Sequence, residues 1–360
     1  MKRRLAILYG GKSGEHEISL RSAAWVFRHL DKEKYDISLI AIDKEGVCYQ
    51  QANEDVAHFP DALPINKSKL LPGLLCNGKF GVDVEVVFPV MHGPLCEDGA
   101  IQGLLKLADV AFVGSEVLSS AMCMDKDITR RIVCHDEVQS TPYTMISWHH
   151  SRAEREQLAL DSAKRLGYPL FVKPCCLGSS VGIHKVHEES QLMQAVEDAL
   201  RYDETILLEA FVPAREIELA VLENENPSQP PYVSVPGEVK VHHQEGFYSY
   251  RAKYIDNDGA ELLIPAVLDE SIVQKVQSMA ASIFTQLKCK GMARVDFFLR
   301  TSDSHIYFNE INTIPGFTSG SLYPKLWAHS GIPNASLLDK LIELALIHKR
   351  CHDQLVKNYA

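Results

Sequence analysis

The sequence predicts a protein of mixed α/β and α+β class with three domains, the first of which contains a parallel β-sheet. At 360 residues the chain is too long for one small domain. Its first third alternates strand and helix patterns, which is typical of parallel strands covered by helices. Near residue 123 this alternation ends, so we predict domains at residues 1–122, 123–211 and 212–360.

The first domain is predicted to contain two similar strand–helix units. Apolar runs indicate strands at residues 5–9, 37–42, 84–90 and 110–113, and helical spacing indicates helices at 18–30 and 100–108. The loops that follow parallel strands meet at one edge of the sheet, where ligands bind. We therefore expect the loops at residues 10–17 and 92–98 to face the same crevice.

The rest of the chain is predicted to be α+β in character. Helices are expected at 125–135, 152–166, 188–201, 270–287 and 335–349, and strands at 170–173, 182–186, 205–211, 216–222 and 232–241. Residues 245–261 form a long polar stretch between the strand predicted at 232–241 and the helix predicted at 270–287.

Composition excludes several classes of protein. The formal net charge of −10 argues against a nucleic-acid partner, which would need a basic face. No run of 18 apolar residues and no signal-peptide pattern is present, so we predict a cytoplasmic protein with no membrane partner. The nine cysteines show no Cys-x-x-Cys or Cys/His spacing, so they are expected to be free thiols rather than zinc ligands or disulfides.

The segment 291–312 carries the strongest chemical pattern. Its strands, 294–300 and 306–312, flank a polar turn. With Asp303 at the centre of the turn, Asp296 faces Glu310 and, further along, Arg294 faces Asn312, so these side chains share one face. The opposite face should pack on a core through Val295, Phe297, Leu299, Tyr307 and Ile311.

This polar face is predicted to hold magnesium. The carboxylates of Asp296 and Glu310 would repel each other unless a cation lay between them, and Mg²⁺ prefers oxygen ligands of this kind. The alternative is a solvent-exposed polar face on which Arg294 pairs with Asp296. In the loop that follows, Gly316 and Ser321 could hold an oxyanion or a carboxylate, although an ordinary strand-to-helix loop fits the pattern as well.

Residues 173–182, Lys-Pro-Cys-Cys-Leu-Gly-Ser-Ser-Val-Gly, are predicted to bind phosphate. The lysine precedes the glycines and no helix follows, so the segment is not a P-loop, but a hairpin loop that covers phosphates fits it. Ser179 and Ser180 offer N–H and hydroxyl donors; a plain turn is the alternative. The loop at 10–17 lacks the Gly-x-Gly-x-x-Gly fingerprint, which disfavours a dinucleotide site, and its Glu15 suits a substrate ammonium group.

Taken in order, the motifs of this chain resemble those of the D-alanine–D-alanine ligases of the ATP-grasp superfamily. The matching segments are 10–19, 92–99, 124–126, 173–182, 209–216, 248–254, 294–296 and 309–316. The resemblance implies a three-domain ATP-grasp fold with a Rossmann-like first domain. It further implies a homodimer that uses ATP and two Mg²⁺ or Mn²⁺ ions to make D-alanyl-D-alanine for peptidoglycan synthesis.

The resemblance also implies a role for each site residue. The ATP-binding residues would be Lys126, Lys173, Ser179, Ser180, Val181, Gly182, Glu209, Val212, Glu216 and Lys253, and the metal ligands Asp296, Glu310 and Asn312. Substrate would contact Glu15, His92, Lys253, Ser321 and Leu322. Arg294 and the Gly316 N–H would stabilise an oxyanion, and Tyr254, linked through Ser179 to Glu15, would hold the polar stretch over the site.

The sequence departs from the family pattern at two places, and several alternative functions remain. Cys96 stands where a glycine is usual, which leaves the geometry of that turn open. Cys175–Cys176 replace a small or polar pair, and two thiols beside the phosphate loop suggest that the activity is sensitive to oxidants. A D-alanine–D-lactate ligase is the main rival within the family, although Tyr250, Lys253 and Tyr254 favour dipeptide formation. A nicotinamide-dependent oxidoreductase and an inactive ATP-binding protein are the rivals from other classes.

Overall fold

The computed structural model describes residues 1–53, 61–135, 137–241 and 260–356. Its first sheet contains β1 (Arg3–Gly10), β2 (Tyr35–Ile42), β3 (Cys48–Gln51), β6 (Val86–Val90) and β7 (Ala111–Phe112), in the order β3-β2-β1-β6-β7. All neighbouring pairs are parallel except β2 with the edge strand β3. A small hairpin, β4 (Leu75–Cys76) with β5 (Lys79–Phe80), lies outside this sheet. The predicted parallel sheet is therefore confirmed.

Helices cover both faces of the first sheet, which explains why residues 5–9 of β1 are all apolar and buried. Leu5 and Ile7 belong to one apolar cluster, while Ala6 and Leu8 belong to another on the opposite face. The covering helices include α1 (His16–His29) and α2 (Ala100–Leu107). The helices α3 (Val117–Met124) and α4 (Lys126–Val133) then lead away from this sheet.

The second sheet is antiparallel, with strand order β10-β9-β11-β8. Its elements in chain order are β8 (Tyr143–Ser147), α5 (Arg152–Leu166), β9 (Leu170–Pro174), β10 (His184–Val186), α6 (Glu189–Ala199) and β11 (Thr205–Ala210). A capping box between Ser151 and Glu154 starts α5. The strand β8 was not predicted, because its half-exposed, mixed pattern lacks a clear period.

The third sheet is also antiparallel. It contains β12 (Ala214–Leu222), β13 (Tyr232–Val233), β14 (Gly237–Val241), β15 (Ala260–Leu263), β16 (Met292–Arg300) and β17 (Ile306–Asn312), with α7 (Glu270–Gln286) packed on it. The prediction of a single strand at 232–241 was wrong, because residues 234–236 interrupt it and leave two strands, β13 and β14. Pro236 lies at the break, and proline cannot donate to a sheet ladder.

The β16–β17 hairpin has the predicted register at its functional end. Asp296 pairs with Glu310, and Arg294 pairs with Asn312. Between Asp296 and Phe297 the register shifts by one residue, so Phe297 pairs with Phe308. The prediction that Tyr307 lies on the core face was therefore wrong: Phe308 packs in the core cluster instead.

Of the two final helices, α8 (Leu322–His329) packs on β12 of the third sheet, and α9 (Asn334–Asp353) packs on β6 and β7 of the first sheet. Leu341 and Ile342 of α9 share an apolar cluster with Leu5 and Ile7 of β1. The strands of the three sheets fall within the three predicted segments, but this packing ties the end of the third segment to the first. Among the described residues, no helix is both long and apolar enough to cross a lipid bilayer.

Candidate active site

The loops that follow β1 and β6 meet at one crevice, as the parallel sheet predicts. The hydroxyl of Ser13 donates to the carbonyl oxygen of His92 at 2.5 Å. Gly93, with a φ of +78°, lies so close to Glu15 that a Cβ atom on it would stand 2.6 Å from the Glu15 Oε2 atom. This backbone conformation favours glycine, and a side chain here would displace the Glu15 carboxylate. Glu15 is buried in the crevice.

Glu15 also contacts the Gly/Ser loop (residues 178–182). Ser179 donates its hydroxyl hydrogen to Oε1 of Glu15, and a Cβ atom on Gly178 would lie 3.6 Å from Oε2. Ser179 and Ser180 have φ angles of +52° and +58°, values that are uncommon for residues other than glycine. The loop therefore makes a sharp turn against the crevice.

His92 lies behind the crevice and is buried. Its Nδ1 atom lies 3.1 Å from the carbonyl oxygen of Ile314, and its Nε2 atom lies 3.0 Å from Oγ of Ser22. The same hydroxyl oxygen accepts a hydrogen bond from the backbone N–H of Phe317 at 3.2 Å. His92 thus holds the loop after β17 in place, and both of its ring nitrogens have protein partners.

A cavity of about 390 Å³ lies between the second and third sheets. Of the predicted ATP-binding residues, the cavity is lined by Lys126, Lys173, Ser179, Ser180, Glu209, Val212 and Glu216. Its apolar lining includes Phe171, Phe211 and Ile217. The predicted residues Val181 and Gly182 belong to the same loop but do not line the cavity. An apolar wall beside several charged groups suits a ligand with a flat ring and phosphates.

Glu209 is the centre of a buried ionic network in this cavity. Its Oε2 atom lies 2.6 Å from Nζ of Lys173 and 2.8 Å from Nη1 of Arg130, and Thr141 donates to Oε1 at 2.7 Å. Burial alone would raise the pKa of Glu209, but Arg130 and Lys173 outweigh this effect and hold the pKa at about 2. Arg130 was missed in the sequence; its position one helical turn after Lys126 was the available signal.

Lys126, the first residue of α4, connects the Gly/Ser side of the cavity to the third sheet. Its Nζ atom donates to the carbonyl oxygen of Leu177 at 2.7 Å and lies 3.3 Å from Oε2 of Glu310. The preceding residue, Asp125, caps α4 by accepting two backbone N–H groups of the first turn. Lys126 therefore stands beside a predicted metal ligand and beside the predicted phosphate-binding loop.

Arg294 is held between two carboxylates on the polar face of the β16–β17 hairpin. It donates from Nε and Nη2 to the two oxygens of Asp296 at 2.8 Å and 2.7 Å. Its Nε atom also lies 2.8 Å from Oε2 of Glu218, which pairs with Asp296 across β12 and β16. Burial opposes the charge, but Asp296 and Glu218 raise the pKa of Arg294 well above its usual value.

The rival interpretation of this face as a solvent-exposed surface is wrong, because Asp296 is only 7% exposed. The Arg294–Asp296 pair that it invoked is nevertheless present. We did not predict Glu218 from the sequence, although Glu216 and Glu218 are two residues apart in β12 and therefore lie on the same face of the strand.

The donor set at this face fits a hard divalent cation. Asp296 and Glu310 supply carboxylate oxygens, and Asn312 supplies an amide oxygen oriented by the N–H of Ile314 at 3.0 Å. Arg294 pairs with Asp296 and Lys126 pairs with Glu310, so each carboxylate has a positively charged partner.

Gly316 and Ser321 lie together after β17. A Cβ atom on Gly316 would stand 2.8 Å from Oγ of Ser321, which accepts the N–H of Thr318 at 2.9 Å. Leu322 begins α8, and its side chain packs into the core. Only its backbone N–H is therefore available for the predicted contact with substrate. Lys253 and Tyr254 lie outside the described residues.

The two unusual cysteine positions are accommodated without disruption. Cys96 is buried in the core of the first domain, and its N–H donates to the carbonyl oxygen of Gly93 at 3.1 Å, so the turn at 92–99 forms without the usual glycine. A hydrogen bond with Cys175, together with burial, raises the pKa of the Cys176 thiol. Because oxidants react with thiolates, this shift does not favour the expected sensitivity to oxidants.

Comparison with known proteins identifies the family. A family model described as the D-ala D-ala ligase N-terminus matches residues 4–115, and one described as the D-ala D-ala ligase C-terminus matches residues 132–343. A D-alanine–D-alanine ligase of Legionella pneumophila (strain Lens) is 56% identical over 357 residues, which cover 99% of this chain and 98% of the relative. The chain belongs to the D-alanine–D-alanine ligase family.

Solved structures of this family share its fold. The D-alanine–D-alanine ligase of Coxiella burnetii superposes with a TM-score of 0.81 at 36% identity, covering 98% of this chain and 96% of that one. The VanG D-Ala:D-Ser ligase of Enterococcus faecalis gives a TM-score of 0.82 at 33% identity, covering 96% and 100%. The family and the ATP-grasp fold class predicted from sequence are thereby confirmed.

Proposed function

We propose that this protein is an ATP-dependent carbon–nitrogen ligase that joins two D-alanine molecules into D-alanyl-D-alanine. Membership of the family over nearly the full chain is the observation that carries the proposal. The product would serve peptidoglycan precursor synthesis in the cytoplasm. We further propose that the protein acts as a homodimer and that residues 1–122, 123–211 and 212–360 form its three domains.

ATP would bind in the cavity between the second and third sheets. Glu216 would hold the ribose, and Glu209 and the backbone of Val212 would contact the adenine, whose flat ring suits the apolar lining. Lys126 and Lys173 would bind phosphate oxygens, with Lys253 added from outside the described residues. The Gly/Ser loop, with Ser179, Ser180, Val181 and Gly182, would cover the phosphates.

Asp296, Glu310 and Asn312 would hold two Mg²⁺ or Mn²⁺ ions. When bound, the ions would neutralise charge on the phosphates as the phosphoryl group is transferred. To ligate an ion, Asp296 would have to give up the hydrogen bond from Arg294 to at least one of its carboxylate oxygens. Glu218 would keep Arg294 in position during this exchange, since it pairs with the same Nε atom.

The two alanines would bind between the crevice and the hairpin. Glu15 would anchor the ammonium group of the first alanine. The carboxylate of this alanine would attack the γ-phosphate of ATP, which breaks the bond to ADP and gives an acylphosphate. The amine of the second alanine would then attack the activated carbonyl carbon and release phosphate. Arg294 and the N–H of Gly316 would stabilise the oxyanion formed in this step.

The remaining site residues would position these groups. His92 would support the loop that carries Gly316, through Ile314 and Ser22. Ser321, the Leu322 N–H and Lys253 would hold the carboxylate of the second alanine. Tyr254 would close the polar stretch over the site and exclude water from the acylphosphate.

The choice of second substrate is tested by measuring ADP release with D-alanine alone, and with D-alanine plus D-serine or D-lactate. The structural similarity to a D-Ala:D-Ser ligase makes D-serine the specific competitor. We expect D-alanine alone to support full turnover at neutral pH. Turnover that requires D-serine or D-lactate would overturn the proposed substrate, and absence of ADP release in all cases would overturn the ligase activity.

A further inference from the structure

Three side chains with metal-ligating atoms meet at the amino end of α4. The Sγ atom of Cys175 lies 3.1 Å from Oδ1 of Asp125. One ligand atom from each of Asp125, Cys175 and Cys176 lies within 4.8 Å of the others. Cys175 is buried, whereas Cys176 and Asp125 are half-buried, so solvent can reach the cluster from one side.

We propose that Asp125, Cys175 and Cys176 form a binding site for a thiophilic divalent ion of the Zn²⁺ class. Cysteine thiolates and carboxylates are both zinc ligands, and neighbouring ligand atoms around one tetrahedral ion lie about 3.5–3.8 Å apart. Binding of the ion would displace the thiol protons, which would pass to the solvent. The ligand atoms of the three residues lie within 4.8 Å of one another, so they would have to draw together around the ion. The Oδ1 atom of Asp125 that faces Cys175 also accepts the two N–H groups that cap α4, so an ion would share this carboxylate with the helix cap.

The backbone around the two thiols is fixed before any ion arrives. The N–H of Cys176 donates to Oδ2 of Asp203 at 2.5 Å, and the N–H of Cys175 donates to the carbonyl oxygen of Thr205 at 3.0 Å. The carbonyl oxygen of Cys175 in turn accepts the N–H of Lys126 at 3.3 Å. These bonds reduce the entropy that the ligands lose on binding an ion.

This cluster differs from the magnesium face in chemistry and in place. Sulfur ligands select soft ions such as Zn²⁺ and Cd²⁺, whereas carboxylate and amide oxygens suit Mg²⁺ and Mn²⁺. None of the three residues lines the cavity between the second and third sheets. An ion here would join Asp125, at the amino end of α4, to Cys175 and Cys176, which precede the Gly/Ser loop. Lys126, the residue after Asp125, would lie beside the ion site.

Cadmium titration of the full-length reduced protein tests the site, with the ultraviolet thiolate-to-cadmium absorption as the readout and MgCl₂ in excess. We expect one equivalent of Cd²⁺ to bind. Cys176→Ser and Asp125→Asn should each weaken binding by more than about tenfold, as loss of a ligand does. Asparagine keeps the helix cap, so the second variant separates ligation from folding.

Cys289→Ser is the matched control. Cys289 forms another close thiol pair in the described part of the chain, with Cys123 at 3.6 Å between the Sγ atoms, and both are buried. This control should bind Cd²⁺ like the unaltered protein. Absorption that persists undiminished in Cys176→Ser, or that is lost in Cys289→Ser alone, would overturn the site, as would its absence in the unaltered protein.

A second measurement needs no spectroscopic assignment. Zn²⁺ that binds the folded protein should raise its melting temperature, and the rise should be smaller in Asp125→Asn. Equal rises in the two proteins would contradict the proposal. Both experiments are done without ATP or D-alanine, so their outcome is independent of the proposed ligase activity.

Discussion

Ser179 donates a hydrogen bond to the carboxylate of Glu15, and this bond joins two loops that are 164 residues apart in the chain. Glu15 belongs to the crevice of the first sheet, whereas Ser179 belongs to the Gly/Ser loop at the cavity between the second and third sheets. The bond therefore couples the proposed alanine site to the proposed phosphate site.

Replacing Glu15 by glutamine should weaken binding of the first alanine. Glutamine can still accept a hydrogen bond from Ser179, but it lacks the charge that would anchor an ammonium group. A hydrogen bond to a charged group contributes about 1.5–3 kcal/mol, so we expect KM for D-alanine to rise by about 10–100-fold. Steady-state kinetics with varied D-alanine measure the effect.

Ser179→Ala is the companion variant for Glu15→Gln. It keeps the carboxylate but removes the bond between the loops, so it should raise KM for ATP as well as for D-alanine. An unchanged KM for D-alanine in Glu15→Gln would show that Glu15 does not bind this substrate.

Replacing Arg294 by lysine should slow the chemical step. Lysine keeps the charge but cannot reproduce the two parallel bonds to Asp296. Loss of one oxyanion donor lowers kcat by about 10²–10³-fold. We expect that decrease in kcat, with little change in the binding of a fluorescent ATP analogue.

Glu218→Gln tests the positioning of Arg294 separately. It leaves the guanidinium in place but removes one of its two carboxylate partners, so kcat should fall by a smaller factor than in Arg294→Lys. A kcat equal to that of the unaltered protein would indicate that Asp296 alone positions Arg294.

Glu310→Gln should weaken metal binding. Manganese binding, followed by electron paramagnetic resonance, measures this directly and does not depend on turnover. Loss of one of three protein ligands should lower Mn²⁺ affinity by at least about tenfold. Asp303→Asn is the control, because Asp303 is a carboxylate of the same hairpin that pairs with Arg300 at its exposed turn. Equal affinities in the two variants would refute the metal assignment.

Glu209→Gln should destabilise the protein at neutral pH. The change leaves Lys173 and Arg130 buried without their counter-charge, and breaking such a pair costs about 3–5 kcal/mol. Urea unfolding at pH 7 measures the loss. The exposed pair of Glu225 with Lys340 is the control, since Glu225→Gln should cost less than about 1 kcal/mol.

The effect of Glu209 should also depend on pH. Its pKa is lowered from 4.5 to about 2 in the folded protein, so its contribution is present above the unfolded pKa and is lost as the pH falls toward the folded pKa. The difference in stability between the unaltered protein and Glu209→Gln should therefore shrink between pH 4.5 and 2. A constant difference over this range would contradict the lowered pKa.

The part of the site that could be predicted from sequence depends on local geometry. The turn around Asp303 sets the pairing of the β16–β17 hairpin, which was enough to bring Asp296 opposite Glu310. The register shift beyond Asp296 could not be predicted, because the turn and the side-chain alternation do not show where an extra residue enters a strand.

The parts that were missed arise from contacts between distant segments. Arg130 reaches Glu209 from a helix, and Glu218 reaches Arg294 from a neighbouring strand. The Asp125 cluster likewise joins residues that lie 50 positions apart. Periodicity within one segment could place Arg130 beside Lys126 and Glu218 beside Glu216, but it does not show which distant residue each one contacts, so these pairs follow only from the assembled fold.

The central claim is tested most directly by quantifying both products of one reaction that contains the protein, ATP, MgCl₂ and D-alanine. Chromatography with mass detection measures D-alanyl-D-alanine and ADP together. The account predicts equal amounts of the two products, and neither when L-alanine replaces D-alanine. Formation of ADP without the dipeptide would contradict it.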